Sequence, residues 1–81
     1  MTYNIFEVKV LYDRIRNLRE DADLPQRALA ELLKVTQTTY SRYESGVLEI
    51  PVDALVQLAR YYNTSVDYLV GLTNEKTPYS R

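Results

Sequence analysis

The segment TQTTYSRYESG, residues 36–46, has the start and end signals of a short helix. Thr36 is a favourable N-cap residue, because its hydroxyl can accept a hydrogen bond from a backbone N–H of the first turn. Gly46 supplies the left-handed residue that commonly follows a helix C-terminus. The segment therefore predicts a helix over Gln37–Ser45, and the chemistry of its two faces guides the interpretation of the chain.

The two faces of this predicted helix differ. At about 100° per residue, Thr39, Tyr40 and Tyr43 share one face, where the tyrosine rings are expected to pack inward with their hydroxyls at the rim. The opposite face carries short polar side chains, one amide and one guanidinium, at Gln37, Thr38, Ser41, Arg42 and Ser45. No carboxylate occurs on the helix before Glu44, whereas a solvated helix face is usually rich in charged residues of both signs.

The outward face matches the chemistry of the DNA major groove. A glutamine can bond both N6 and N7 of adenine, and an arginine can bond both O6 and N7 of guanine. Serine and threonine hydroxyls suit phosphates and base edges, and the lack of carboxylates avoids repulsion from phosphate. A polar helix that carries Ser and Thr by chance is the alternative for this segment taken alone.

The residues before this segment predict a second short helix. Pro25 ends any preceding helix, because the residue before a proline avoids the helical region. A helix over Gln26–Leu33 follows, with an inward apolar face of Leu29, Leu32 and Leu33. A three-residue turn, 34–36, joins the two helices, which together make a helix-turn-helix. Gln26 lies in the first turn, where a side chain and free backbone N–H groups can hold a phosphate.

A long first helix is predicted from near Ile5 to near Ala22. Its apolar stripe recurs at helical spacing over about four turns and consists of Val8, Leu11, Ile15, Leu18 and Ala22. A capping-box pattern and a hydrophobic staple support its start, at Asn4 with Glu7 and at Tyr3 with Val8. A strand is the alternative for residues 6–10, where apolar and charged residues alternate, but the length of the stripe favours the helix.

Two further helices complete the predicted fold. The fourth runs from Val52 to Tyr62 and ends at Asn63, a residue that tolerates the left-handed backbone. Its inward face consists of Leu55, Leu58, Ala59 and Tyr62. Ser65 is expected to cap a short fifth helix, Val66–Val70, which Gly71 closes.

Length and composition favour one small all-α domain. The chain has 81 residues, of which 46% are hydrophobic and 26% charged, as in globular proteins. We predict a compact five-helix bundle over residues 1–72, with the N-terminal extension of helix 1 included. Residues 73–81 are expected to form a loosely held polar tail.

The composition also argues against several classes of function. The chain contains no cysteine and no histidine, so disulfides and thiolate nucleophiles are excluded and no metal site is expected. An enzyme is the poorest candidate, because no glycine-rich phosphate loop or paired acid–base site is visible. No apolar run approaches the roughly 18 residues of a membrane span and no secretory signal is visible, which favours a cytoplasmic protein. The net charge of −1 does not by itself favour a nucleic-acid partner.

Two stretches resemble a known family: IRNLREDADLPQRALAELLKVTQTTYSRYESG, residues 15–46, and IPVDALVQLARYYNTSVDYLVG, residues 50–71. They are similar to the helix-turn-helix regulators of the phage repressor and Cro type, also called the xenobiotic-response-element family. The resemblance extends from Leu11 to about Leu72. It implies a lambda-repressor-like domain that binds double-stranded DNA as a homodimer on a near-palindromic operator and represses transcription. The corresponding expectations are a bacterial or phage origin, a cytoplasmic, nucleoid-associated location, and no cofactor or small-molecule ligand.

The resemblance also implies roles for individual residues. The base-contacting positions of the family correspond to Gln37, Thr38, Ser41 and Arg42. The candidate phosphate contacts are Gln26, Arg27, Thr36, Thr39, Tyr43 and Ser45. Arg19 and Glu44 fall where some members pair an arginine of helix 1 with a glutamate of helix 3, which predicts a structural ion pair. Ala30 falls where a small residue lets helices 2 and 3 touch.

The sequence departs from the family pattern at four places. Pro25 replaces the usual Ser or Thr N-cap of helix 2, and Lys34 stands where glycine is common in the turn. Asn63 replaces another frequent glycine. The Val-Leu-Glu sequence at 47–49 replaces a loop that is often basic and contacts phosphate. A domain without that basic loop is expected to depend on dimerisation for useful affinity.

Apolar residues in the loop before helix 4 and around helix 5 are the candidates for self-association. They are Val47, Leu48, Ile50, Val66, Val70 and Leu72. Packing against a second copy or into the core is the preferred explanation of these residues. They also leave open a second function, that of a protein-interaction adaptor or an antitoxin-like module. Salt-dependent binding to random DNA distinguishes the two, since a pure adaptor shows none.

Overall fold

The five predicted helices are present and share one core. The structure, a computed structural model, describes the backbone of residues 5–78 and the side chains of residues 9–78. The helices are α1 (Ile5–Asp21), α2 (Gln26–Leu33), α3 (Gln37–Ser45), α4 (Val52–Tyr61) and α5 (Val66–Leu69). Residues 5–78 contain no strand, so the all-α prediction is confirmed and the strand alternative for residues 6–10 is wrong. The predicted capping box and hydrophobic staple at the start of α1 lie outside the described residues.

Every helix contributes to a single apolar core. The five largest side chains in it with almost no exposed surface are Ile15, Leu29, Tyr40, Leu58 and Leu69, one from each helix. Leu18, Leu33, Tyr43, Leu55 and Ala59 are also buried, as the helical stripes predict. Because each helix is apolar on one side only, none of them can bury that side without the others.

Among the predicted core positions whose side chains the structure describes, which do not include Val8, Ala22 is the one that the structure contradicts. It is exposed, because α1 ends one residue earlier and Ala22 lies in the turn that follows. Asp23 takes a left-handed conformation there, with φ 55°. The N–H of Asp23 donates to the carbonyl of Glu20 at 3.0 Å, and that of Leu24 donates to the carbonyl of Arg19 at 3.1 Å. These bonds satisfy carbonyls at the end of α1 and turn the chain toward α2.

The turn between α2 and α3 is fixed by hydrogen bonds at both of its ends. Lys34 is left-handed, with φ 59°, which lets the N–H of Val35 donate to the carbonyl of Ala30 at 2.9 Å. Thr36 then caps α3, its Oγ1 accepting a hydrogen bond from the N–H of Thr39 at 3.1 Å. Ala30 is only 2% exposed. Its burial agrees with the small residue that the family resemblance implies where α2 and α3 touch.

The end of α3 depends on the glycine that follows it. Gly46 has φ 81°, and the carbonyl of Arg42 accepts hydrogen bonds from the N–H groups of Val47 at 3.0 Å and Leu48 at 3.1 Å. A Cβ added to Gly46 would lie 2.6 Å from Cε2 of Tyr12 in α1. Both the left-handed backbone and the nearby tyrosine ring therefore favour glycine at this position.

The segment after α5 is held against the domain, which differs from the loosely held tail that was predicted. Arg14 of α1 donates from Nη1 to the carbonyls of Tyr68 and Thr73, the latter at 2.7 Å, and from Nη2 to Oδ1 of Asn74 at 2.9 Å. Its guanidinium also lies over the ring of Tyr68, 4.1 Å from the centroid. The hydroxyl of Thr64 donates to the carbonyl of Lys76. The prediction of a loose tail is therefore wrong for residues 73–76.

Within the described part of the chain, no helix is both long enough and apolar enough to cross a membrane.

Lys34→Gly is expected to stabilise the fold. A side chain in the left-handed region costs roughly 1–2 kcal/mol, part of which is offset by the greater entropy of glycine in the unfolded chain. We expect Lys34→Gly to raise the free energy of unfolding by about 0.5–1 kcal/mol relative to Lys34→Ala. Lys34→Ala is the matched control, because it removes the same charge but keeps a Cβ. Urea denaturation checks this, and equal stability of the two variants would show that the backbone at Lys34 is not strained.

Candidate nucleic-acid interface

The first turn of α2 and the outward face of α3 form one shallow depression. The residues that line it are Gln26, Gln37, Thr38, Ser41 and Arg42. The structure thus brings the four predicted base-contacting residues together with the glutamine predicted to contact phosphate. One of these five residues is a cation and none is an acid. Such a surface can accept a polyanion without a repulsive carboxylate.

The side chains around this depression are available to a partner. Gln37, Thr38 and Arg42 are exposed, whereas Gln26 and Ser41 are half-buried. The guanidinium of Arg42 forms no hydrogen bond or ion pair with the described residues, although the backbone carbonyl of the same residue fixes the end of α3. The guanidinium is therefore free to bind a partner, while hydrogen bonds hold the backbone that carries it. This combination suits directional recognition.

The remaining candidate phosphate contacts differ in accessibility. Arg27, Thr36 and Ser45 are exposed and Thr39 is half-buried. Tyr43 is 8% exposed and packs edge-on against the ring of Tyr40, with the ring centroids 6.5 Å apart. Tyr43 is therefore the least accessible of the predicted phosphate contacts, and the hydroxyl of Thr36 already serves as the cap of α3.

An ion pair lies between this surface and the core. Nε of Arg19 donates to Oε2 of Glu44 at 2.6 Å, and Nη2 donates to Oε1 at 3.1 Å. The side chains are 14% and 4% exposed, respectively, so both charges are largely removed from water. The remaining Nη1 donates to the carbonyl of Leu24 at 2.9 Å, just before the start of α2. The ion pair implied by the family resemblance is thus present, and it connects α1, α3 and the chain entering α2.

Gln26 makes a contact that sequence reasoning did not anticipate. Its Nε2 donates to Oε1 of Glu44 at 3.3 Å. The predicted phosphate-contacting residue and the predicted structural ion pair are therefore parts of one hydrogen-bonded group. The two residues lie at the ends of α2 and α3 that are far from the connecting turn, so the distance between their side chains depends on the packing of the helices.

The surroundings of Glu44 keep its carboxyl ionised. Burial alone raises the pKa of a carboxyl, but the hydrogen bonds from Arg19 and Gln26 and the neighbouring hydroxyl of Tyr40 outweigh that effect and hold the pKa of Glu44 below its ordinary value. The hydrogen bond between Arg19 and Glu44 also raises the pKa of Arg19. Glu44 is therefore an acceptor with a permanent negative charge at neutral pH.

The hydroxyl of Tyr40 corrects the expectation that the tyrosine hydroxyls of α3 reach the rim. The oxygen is buried and makes no hydrogen bond of ordinary geometry with the described residues, and the same is true of Tyr62. Burial, followed by the nearby charge of Glu44, raises the pKa of both phenols. The expectation is thus wrong for Tyr40; the ring of Tyr43 is also buried, whereas Thr39 on the same face is half-buried.

The predicted self-association residues differ in exposure. Val47, Leu48 and Leu72 are exposed, while Val66 and Val70 are half-buried. Ile50 is 7% exposed and belongs to the core, so the structure removes it from the candidates. A cavity of about 680 Å³ lies beside the exposed group, lined mainly by apolar residues of α1, α4 and the loop before α4.

Comparison with known proteins identifies the class to which this fold and surface belong. The helix-turn-helix family model matches residues 15–69, which include the whole of α2–α5 and the buried part of α1. The chain belongs to the phage repressor/Cro-type helix-turn-helix family of transcriptional regulators.

Several curated bacterial proteins are similar to the chain. An uncharacterised helix-turn-helix transcriptional regulator of Bacillus subtilis, YobD, is 42% identical over 80% of this chain and 58% of its own length. The regulator AnsR of the same organism is 34% identical over 79% of this chain and 55% of its own length. The transcriptional repressor RstR of a cryptic CTXphi phage of Vibrio cholerae is 33% identical over 72% of this chain and 52% of its own length.

The chain spans about half the length of these curated relatives, with coverages of 58%, 55% and 52%. The similarity therefore concerns the helix-turn-helix domain. No solved structure matches the chain significantly.

Removing one member of the buried pair is expected to destabilise the fold strongly. Glu44→Ala leaves the guanidinium of Arg19 without its carboxylate at a site that is 14% exposed, which costs roughly 3–5 kcal/mol. The control is Asp13→Ala, which breaks the exposed pair of Asp13 with Arg16, where the side chains are 42% and 46% exposed. That change should cost less than about 1 kcal/mol. Chemical denaturation measures both, and similar losses for the two variants would contradict the structural role of Glu44.

The same pair gives the stability a defined pH dependence. Because the pKa of Glu44 in the folded state lies below its ordinary value of 4.5, the stabilisation is complete above that value and is lost as the pH falls through the folded-state pKa. We expect wild-type protein to lose free energy of unfolding faster than Glu44→Gln below about pH 4.5. Urea titrations at a series of pH values test this. A difference between the two proteins that does not shrink on acidification would be the contrary result.

Proposed function

We propose that the chain is a sequence-specific, double-stranded DNA-binding transcriptional regulator that reads the major groove with α3. The observation that carries this proposal is the carboxylate-free depression, in which Gln26 and Arg42 flank short polar side chains. An α-helix, about 10–12 Å across with its side chains, fits a major groove about 12 Å wide. Family membership supports the same function, because the similar proteins are named as transcriptional regulators.

Base discrimination is assigned to Arg42 and Gln37. Both are exposed on the outward face of α3, and each can make a bidentate contact, with guanine and adenine respectively. Thr38 and Ser41 complete the reading face with short side chains that allow the backbone to approach the bases. The caps at Thr36 and Gly46 fix both ends of this helix, so its side chains point in defined directions.

Phosphate contacts are assigned to the edges of this face. Arg27 and Gln26 lie in the first turn of α2, where N–H groups of the backbone have no partner within the helix. Exposed Ser45 and Thr36 lie at the two ends of α3. Contacts to phosphate fix the register of a protein on DNA but carry no direct sequence information.

Two copies are proposed to act together on a near-palindromic operator. A single recognition helix contacts only a few base pairs, and two copies about one helical turn apart combine their discrimination. Exposed Val47, Leu48 and Leu72 provide apolar surface for self-association. By occupying an operator such a dimer acts as a repressor, the activity named for the similar phage protein RstR. The proposed DNA-binding domain comprises residues 1–72 and works without a cofactor, in the cytoplasm.

A protein-interaction adaptor is the second candidate. It is favoured by the apolar cavity, whose rim carries Val47 and Leu72, and by a further exposed apolar residue, Val52. An adaptor of this kind uses the apolar surface and leaves the polar face of α3 unused. The two functions therefore make opposite predictions about the polar face.

A binding-site selection from random double-stranded DNA, followed by salt titration on the selected site, tests the proposal. We expect enrichment of a near-palindrome and a fall of log K with log salt whose slope is about −0.9 per phosphate neutralised. Analytical ultracentrifugation on that site should give two protein chains per operator. Failure to enrich any sequence, together with no salt-dependent binding to random DNA, would favour the adaptor.

Arg42→Ala should weaken binding at the preferred site by about 1–3 kcal/mol and relax specificity at the base pair contacted. Arg42→Lys keeps the charge and loses the bidentate geometry, so it should also relax specificity while keeping the salt slope. Arg60→Ala, which removes an exposed arginine of α4, is the matched control and should leave the ratio of specific to scrambled binding unchanged. Competition titrations give these ratios. A wild-type ratio in Arg42→Ala would remove Arg42 from base recognition.

A further inference from the structure

Oε1 of Glu44 is shared between two donors. Nη2 of Arg19 lies 3.1 Å from it, and Nε2 of Gln26 lies 3.3 Å from it on the side of the depression. The carboxylate is buried, whereas the amide of Gln26 belongs to a half-buried residue at the boundary with solvent. Gln26 is therefore in contact with the buried pair and with the candidate DNA surface at the same time.

We propose that Glu44 is a positioning residue for DNA binding: its carboxylate holds the side-chain amide of Gln26 in a single orientation, with one N–H bonded inward and the second N–H free for a phosphate oxygen. This inference rests on the proposed DNA-binding function. It assigns to a buried glutamate a role in affinity that is separate from its role in stability.

The chemistry of the two groups defines the orientation. An ionised carboxylate has only acceptors, so the amide must turn its nitrogen and not its oxygen toward Glu44. Arg19 keeps that carboxylate in place through two hydrogen bonds. The amide nitrogen has two N–H groups, and the second forms no hydrogen bond within the described part of the chain. A phosphate oxygen is also an acceptor only, so the amide is matched to bridge the carboxylate and a phosphate.

The start of α2 particularly needs such a contact. Pro25 occupies the N-cap position and offers no side-chain hydrogen bond, so the usual cap is absent. The contacts at this end come instead from the buried pair, through Arg19 to the carbonyl of Leu24 and through Glu44 to Gln26. A glutamine side chain that is already ordered loses less rotamer entropy when it binds a phosphate.

The first test asks whether Glu44→Gln weakens or tightens binding to DNA. Glu44→Gln removes a negative charge, which by simple electrostatics would tighten binding to DNA. If Glu44 positions Gln26, the variant should instead weaken binding about threefold to tenfold, as expected for one hydrogen bond. The control Asp13→Asn removes the same charge from an exposed pair and should not weaken binding. Fluorescence anisotropy on the selected operator measures the dissociation constants, at a temperature where circular dichroism shows each variant to be folded. Tighter or unchanged binding of Glu44→Gln would overturn the proposal.

A double-mutant cycle distinguishes positioning from general loosening of the fold. In a Gln26→Ala background the amide is gone, so Glu44→Gln should no longer weaken binding, and any remaining effect should be the slight tightening expected from removal of a negative charge. A general structural effect would weaken both backgrounds by the same factor, and that outcome would overturn the proposal. Because glutamine is neutral, the salt slope should be equal in wild-type protein and Gln26→Ala.

Amide resonances in solution test the proposal without DNA and without relying on the variant to fold. In free wild-type protein, one of the two Nε2 hydrogens of Gln26 should be shifted and slowed in exchange, and the other should resemble a solvent-exposed amide. Two equivalent, rapidly exchanging hydrogens would overturn the positioning role. If the resonances show one protected hydrogen but no DNA binds at low salt, the DNA-binding function fails. In that case the role of Glu44 in DNA binding is overturned with it, and only the orientation of the amide stands.

Discussion

The buried pair of Arg19 and Glu44 is the interaction on which the arrangement of this domain depends. One guanidinium bonds the carboxylate of α3 and the backbone carbonyl of Leu24, so α1 fixes both the recognition helix and the approach to the helix before it. A buried pair need not be more stabilising than an apolar one, because both charges lose their hydration. Its value here is geometric, since its hydrogen bonds are directional and apolar contacts are not.

Local signals were sufficient to predict the helices that carry the site. The bounds of α2 and α3 follow from residues whose preferences are intrinsic: a proline that stops a helix, a threonine that caps one, and a glycine in the left-handed region. Asn63 was placed at a left-handed helix end from its own preference, and Lys34, which stands where the family commonly has glycine, is left-handed as well. Asp23 adopts the same conformation and was missed, because aspartate favours it too weakly to be distinguished from a helical residue by sequence alone.

Apart from the Arg19–Glu44 pair, which the family resemblance implied, contacts between distant side chains could not be predicted from the sequence. The helical wheel placed Tyr40 inward but could not show that its hydroxyl is buried as well, since that depends on how α3 packs into the core. In the same way, Gln26 and Glu44 are 18 positions apart, and their hydrogen bond exists only because α2 and α3 meet at one particular angle. Ile50 shows a related limit: the sequence left open whether this apolar loop residue packs into the core or against a second copy, and the structure places it in the core.

The contacts of Arg14 have a consequence for the order in which the domain forms during synthesis. Its partners Tyr68, Thr73 and Asn74 follow it by 54, 59 and 60 residues, so α1 cannot complete its contacts until residue 74 has emerged from the ribosome. At a synthesis rate of roughly 5–20 residues per second, these partners are made about 3–12 s after Arg14. The contacts of Arg14 with residues 68–74 therefore form late in the synthesis of the domain.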